Sequence, residues 1–141
     1  MQISVLATMV WAKGGYMYTR IRYGTPCFSA VNTKEFLLGK IVPGQWHTVV
    51  IGASWRANNK GWFRSWFDGE KKVDVFDFNT IHNYDSRRYE FRVGLYPNWY
   101  AKSVEELGAI GFFQQRTKAV VFDNIRFGFT FDEADPSHIR E

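Results

Sequence analysis

The sequence predicts an all-β fold, an antiparallel β-sandwich or jelly roll with at most one short helix. Aromatic residues make up 18% of the 141 residues, and aromatic side chains are enriched in strands. Short segments with alternating apolar and polar residues recur along the chain, separated by turn-forming residues. The one helix signal lies at residues 103–110, where Ser103 and Glu106 fit a capping box.

The length favours one sandwich domain, which we place at residues 1–131, followed by a polar tail at residues 132–141. Residues 1–12 are apolar but lack a preceding basic segment, so they are interpreted as a strand rather than a signal peptide. No apolar run is long enough to span a membrane.

Cys27 is the single cysteine, so an intrachain disulfide is excluded and the compartment is left open.

The first strands are expected to form a hairpin. Residues 3–11 are almost continuously apolar, and residues 16–23 alternate after a turn at Gly14 and Gly15. The alternation of the second segment places Tyr16, Tyr18, Arg20 and Arg22 on one face. Further strands are predicted at residues 27–31, 46–51, 62–67, 73–78 and 119–129, and residues 34–38 are left open between a helical turn and a strand.

We expect the chain to be organised around a strand at residues 90–96. Its alternation turns apolar side chains, among them Phe91 and Val93, towards a core. The opposite face carries the guanidinium of Arg92 and the phenol of Tyr96. This pattern is typical of a half-buried strand whose polar face is available to a ligand.

Four sequence motifs carry a family resemblance. They are Gly-Gln-Trp-His at residues 44–47, Trp-Phe-Asp-Gly at 66–69, Tyr-Glu-Phe-Arg-Val-Gly-Leu-Tyr at 89–96 and Phe-Asp-Asn-Ile-Arg-Phe-Gly at 122–128. Together they resemble the concanavalin A-like jelly-roll polysaccharide lyases, the group of alginate, glucuronan and heparin lyases. The resemblance implies a concanavalin A-like jelly roll and favours an extracellular or virion-associated location.

The resemblance also implies site residues. In that family the basic residue and the last tyrosine of the motif at residues 89–96 line the cleft, and the tyrosine transfers protons. The matching positions are Arg92 and Tyr96, which are therefore the candidate catalytic residues. The family's Gln-x-His pair is not found, and Met9 and Trp11 are the nearest positions. Whether the chain cleaves its ligand is left open.

Cleavage of a uronic acid by β-elimination needs a cation at the carboxylate, a base and an acid. Arginine offers a bidentate fork to a carboxylate, so the candidates at the substrate carboxylate are Arg20, Arg22, Arg64 and Arg92. The candidates for stacking on sugar rings are Trp62, Trp66, Trp99 and Tyr100. For all of these residues the alternative is packing in a core, a loop or a solvated sheet face. His47 is expected to be structural, and no cofactor or metal is predicted.

The formal net charge of +4 favours an anionic partner. The leading hypothesis is a carbohydrate-binding domain of polysaccharide-lyase type that recognises an anionic polysaccharide. The alternative is a non-catalytic structural or adhesion module of a virion or cell-surface complex, in which a homo-oligomer or a partner chain covers exposed strand edges. Nucleic-acid binding ranks last, because the sequence contains no motif for it.

Overall fold

The computed structural model describes residues 8–25, 31–82, 91–94 and 120–137. The chain divides into two compact units, one formed by Met1–Arg87 with Arg126–Glu141 and the other by Arg88–Ile125. All the strands and the helix described below belong to the first unit. Within the described ranges, no helix is long and apolar enough to cross a membrane.

The first unit contains two three-stranded antiparallel sheets. The strands are β1 (Thr8–Lys13), β2 (Tyr16–Gly24), β3 (Val31–Lys40), β4 (Val49–Ser54), β5 (Gly61–Phe67) and β6 (Glu70–Phe78), and the helix is α1 (Phe131–Ala134). Strands β1, β2 and β3 form one sheet, and β4, β5 and β6 form the other. Each strand pairs with the next one in its sheet, so both sheets are simple meanders.

Two-residue turns close two of the hairpins. Gly14 and Gly15, with φ angles of 58° and 80°, join β1 to β2. Asp68 and Gly69, with φ angles of 50° and 80°, join β5 to β6. Positive φ at both central residues is typical of the turn whose twist matches that of a β-hairpin. The turn predicted at Gly14 and Gly15 is confirmed.

A shared core joins the two sheets. Ile21 and Leu38 from the first sheet pack with Phe63, Phe67, Val73 and Phe78 from the second. The ring of Phe36 on β3 stacks against Phe63 at a centroid distance of 6.3 Å. The ring of Tyr23 on β2 meets Phe78 edge-on at 6.2 Å. The predicted antiparallel β-sandwich of the jelly-roll class is therefore confirmed.

The structure refines the predictions for two segments. Residues 34–38, for which a helical turn and a strand are the alternatives, lie in strand β3. The strand predicted at residues 46–51 begins at Val49 instead. The reason is that the Thr48 N–H donates to the Asp68 carboxylate and the His47 ring binds the backbone of Val42. The residues before Val49 are thus engaged by side chains rather than by a neighbouring strand.

Two predicted strands are not strands where the structure describes them. Residues 91–94 and 120–130 belong to neither described sheet. Phe91 and Val93, which were expected to face a core, are 63% and 47% exposed. Alternation is required for a half-buried strand, but a strand also needs a hydrogen-bonded neighbour. The predictions for residues 27–30 and 103–110 lie outside the described residues.

Part of the predicted polar tail is helical. Thr130 caps α1, since its hydroxyl accepts from the Glu133 N–H at 3.3 Å. The Glu133 carboxylate accepts in return from the N–H groups of Phe129 and Thr130. This is a capping box. The ring of Phe131 then packs on Trp66 of β5 at 4.7 Å, which attaches the helix to the second sheet.

We predict that Gly39→Ala destabilises the sandwich. A Cβ at Gly39 on β3 would lie 2.5 Å from the ring of Phe67 on β5. Phe67 is 5% exposed, so its ring has little room to move and the free energy of unfolding should fall by about 1–3 kcal/mol. The measurement is chemical denaturation. Gly94→Ala is the matched control, because a Cβ there meets nothing within 4 Å. Equal stability of the two variants would contradict the packing of the sheets.

Candidate functional site

The sandwich has two outward faces, because alternate residues of each strand point away from the core. The Arg20 face belongs to the first sheet and comprises Met9, Trp11, Tyr16, Tyr18, Arg20, Arg22 and Glu35. The Arg64 face belongs to the second sheet and comprises Gly52, Trp62, Arg64, Trp66, Lys71, Asp74 and Phe76. Both faces combine aromatic rings with cations, and their electrostatics differ.

The Arg20 face is built on cross-strand pairs between β1 and β2. Trp11 pairs with Tyr18 and Met9 pairs with Arg20. The Trp11 and Tyr18 rings stack with a centroid distance of 5.6 Å and an angle of 18° between their planes. The guanidinium carbon of Arg20 lies 5.6 Å from the centre of the Trp11 ring, and its Nη2 lies 3.7 Å from Met9 Sδ. The Arg20 guanidinium is thus held against apolar and aromatic groups.

The charges of the Arg20 face are poorly compensated by protein groups. Arg20 and Arg22 point the same way from β2, and the Nε atom of each is buried with no hydrogen-bond acceptor within the described ranges. Among the described residues, neither guanidinium forms an ion pair. Burial lowers the pKa of Arg20, the nearby charge of Arg22 lowers it further, and Glu35 opposes both effects. A bound anion would offset both the free-energy cost of burying the Arg20 charge and the repulsion between the two guanidinium groups.

On the Arg64 face, in contrast, an anion forms ion pairs with the neighbouring cations. Arg64 Nε donates to Asp74 Oδ1 at 2.9 Å, and Lys71 Nζ donates to Asp74 Oδ2 at 2.8 Å. These bonds, from Lys71 first and then Arg64, hold the pKa of the Asp74 carboxyl below its usual range. The Arg64 guanidinium carbon also lies 4.9 Å from the ring centres of both Trp62 and Phe76.

The structure therefore separates the predicted binding residues into two groups. Arg20 and Arg22 project from the first sheet, whereas Trp62, Arg64 and Trp66 project from the second. Since the shared core lies between the sheets, the two groups face opposite directions and do not line one common cleft.

The remaining candidates belong to the other unit. Arg92 lies in Arg88–Ile125 and is exposed. Tyr96, Trp99 and Tyr100 lie outside the described residues. The catalytic roles of Arg92 and Tyr96 stay predictions.

Trp11 and Met9 were not among the binding candidates, although a signal for them was present. The two-residue turn at Gly14 and Gly15 sets the register of the hairpin, which places Trp11 opposite Tyr18 and Met9 opposite Arg20. Counting outward from the turn would have identified both neighbours.

His47 is structural, as expected. Its Nε2 accepts from the Val42 N–H at 2.9 Å, so its proton lies on Nδ1, which donates to Asp68 Oδ2 at 2.7 Å. Asp68 Oδ1 accepts from the Thr48 N–H at 2.9 Å, and the His47 ring stacks on Phe67 at 5.1 Å. This network fixes the loop before β4. In the described part of the chain, no group of three or more potential metal ligands occurs.

We predict that Asp68→Ala lowers the free energy of unfolding by about 1–3 kcal/mol. The change removes the acceptor for His47 and Thr48, and it puts a residue with little tolerance for positive φ at a φ of 50°. Thermal or chemical denaturation measures the loss. Asp68→Asn is the control, because asparagine tolerates this conformation and keeps one acceptor oxygen, so it should cost less. A loss from asparagine as large as that from alanine would contradict this account.

Comparison with known proteins identifies the relationship of the chain. A family model described as polysaccharide lyase matches residues 4–126. Among solved structures, the chain is similar to an endo-β-1,4-glucuronan lyase from the fungus Trichoderma reesei, with 30% sequence identity and a TM-score of 0.49. That match covers 55% of this chain and 34% of the fungal enzyme, about a third of its length. No curated protein matches the chain.

Proposed function

Because the chain belongs to the polysaccharide lyase family, we propose that it binds an anionic polysaccharide on the Arg20 face and cleaves it by β-elimination. The observation that carries the proposal is the pair Arg20 and Arg22, two guanidinium groups on one face with no ion-pair partner in the described ranges.

A uronate carries a carboxylate, the ion-pair partner that Arg20 and Arg22 lack within the described residues. Its carboxylate accepts two parallel hydrogen bonds from a guanidinium, an arrangement that is roughly twice as strong as a neutral hydrogen bond. Two like charges side by side repel, and one carboxylate between them offsets that repulsion. Trp11, which itself stacks on Tyr18, holds the Arg20 guanidinium in place, so little side-chain freedom is lost on binding. Tyr16, which is 40% exposed, offers a ring to the sugar at one end of the face.

Cleavage requires proton transfer as well as binding. In β-elimination a base takes the proton at C5 of the uronate, the electron pair forms the C4–C5 double bond, and the glycosidic oxygen leaves C4 and takes a proton. The resemblance of the motif at residues 89–96 is the support for assigning the base and the acid to Tyr96 and the cation at the reacting carboxylate to Arg92. A neighbouring cation would favour the phenolate form that a base requires.

A non-catalytic binding module is the second candidate. The observation that favours it is that Met9 and Trp11, the nearest positions to the Gln-x-His pair of the lyases that the chain resembles, both lie beside Arg20. Neither side chain exchanges a proton near neutral pH. Such a module would keep the polyanion affinity of the Arg20 face without turnover.

We expect Arg20→Ala and Arg22→Ala each to weaken binding of polyglucuronate by about tenfold to hundredfold, the value of one charged hydrogen bond or bidentate pair. The loss should be largest at low salt, because added salt screens the charges. Calorimetric titration at two salt concentrations measures it. Arg56→Ala is the matched control, since Arg56 is exposed in the β4–β5 loop. Equal affinities of all three variants would exclude the Arg20 face as the binding site.

Turnover is tested by the ultraviolet absorbance of the unsaturated uronate product. The wild-type chain, incubated separately with alginate, glucuronan and heparin, should raise the absorbance with at least one of them. Tyr96→Phe should lower that rate about 10²- to 10⁴-fold, the usual contribution of a general acid or base, while polysaccharide binding is retained. An unchanged rate would remove Tyr96 from the mechanism. Binding by the wild type without any rise in absorbance would support the non-catalytic module instead.

A further inference from the structure

The Arg64 face presents a guanidinium that the protein has already oriented. Asp74 accepts from Arg64 Nε, while Trp62 and Phe76 flank the guanidinium carbon at 4.9 Å each. The bond to Asp74 uses Nε, so within the described residues the Nη atoms remain for another acceptor, and the Arg64 side chain is 35% exposed. An arginine fixed in this way loses little freedom when it binds a carboxylate.

The face also provides an apolar surface beside that cation. Phe76 is 50% exposed and pairs with Trp62 across β5 and β6. Gly52 on β4 leaves space for two indole rings, because a Cβ there would lie 3.2 Å from the Trp62 ring and 3.6 Å from the Trp66 ring. At the far end, Phe131 of α1 packs on Trp66. The accessible part is therefore the end formed by Trp62, Arg64 and Phe76.

The charge balance indicates the sign of the ligand. Asp74 is shared between two cations, Arg64 and Lys71, so the cluster keeps one positive charge. A pyranose ring that carries a carboxylate fits such a surface, because its C–H groups can pack on aromatic rings while the carboxylate meets the guanidinium.

We propose that the Arg64 face is a second saccharide-binding surface, which takes one uronate residue through the Nη groups of Arg64 and the rings of Trp62 and Phe76. It lies on the opposite side of the sandwich from the Arg20 face, with the core between them. One polysaccharide strand therefore binds on each side of the domain. The proposal rests on the proposed function for the identity of the polymer, and its geometry is independent of the Arg20 face.

The test is calorimetric titration of the full chain with a short glucuronate oligosaccharide, too short to reach both faces. We expect two oligosaccharides per chain. Arg64→Lys keeps the charge but removes the fork, and Phe76→Ala removes an exposed ring outside the core. Each variant should bind one oligosaccharide, or two with the second weakened at least tenfold. A double variant, Arg20→Ala with Arg22→Ala, should lose the other site and keep the Arg64 face. Thermal unfolding checks that every variant is folded.

The outcomes separate the two proposals. One site per chain, lost in the Arg20 and Arg22 double variant and unaffected by Arg64→Lys and Phe76→Ala, would overturn the second surface and leave the proposed function standing. One site per chain, lost in Arg64→Lys and kept in the double variant, would support the second surface and overturn binding on the Arg20 face. No binding by the folded wild type would overturn both.

A neutral β-1,4-glucan oligosaccharide of equal length should bind at least tenfold more weakly, and equal binding would overturn the role of the charge.

Discussion

Strand β5 imposes the constraint on which the rest of the structure depends. Its successive side chains alternate strictly between buried and partly exposed from Gly61 to Phe67. Phe63, which is fully buried, stacks against the first sheet on the inner side, and Arg64 follows it on the outer side. Since a strand cannot turn two successive residues the same way, the packing that joins the sheets also sends their arginines to opposite sides of the domain.

The two outward faces differ in how their positive charges are compensated. On the Arg64 face, Asp74 accepts from Arg64 and Lys71, so part of the positive charge is compensated within the protein. On the Arg20 face, Arg20 and Arg22 lie side by side, their buried Nε atoms lack an acceptor in the part of the chain that the structure describes, and the pKa of Arg20 is lowered. A buried polar group without a partner costs free energy. An anionic ligand offsets that cost, which is why the Arg20 face is the stronger candidate for the main substrate.

Much of this arrangement could be predicted from local sequence. The alternation at residues 16–23 separates the inner from the outer side chains of β2, and the Gly-Gly turn identifies the first hairpin. The same alternation at residues 90–96 did not produce a strand at 91–94, because strand pairing depends on neighbours distant in the chain. For the same reason, local patterns could not show that Arg20 and Arg64 belong to different sheets. The capping box at Thr130 and Glu133 has the same Ser/Thr-x-x-Glu spacing as Ser103 and Glu106, so local sequence signals both positions equally.

Arginine footprinting tests the central claim most directly, since it reports on every arginine of the chain in one experiment. The folded protein is treated with an arginine-specific dicarbonyl reagent, with and without polyglucuronate, and the modified residues are quantified by mass spectrometry. The account predicts that the polysaccharide slows modification of Arg20 and Arg22, while Arg56 in the exposed β4–β5 loop reacts as before. Equal modification rates of Arg20 and Arg22 with and without bound polysaccharide would contradict it.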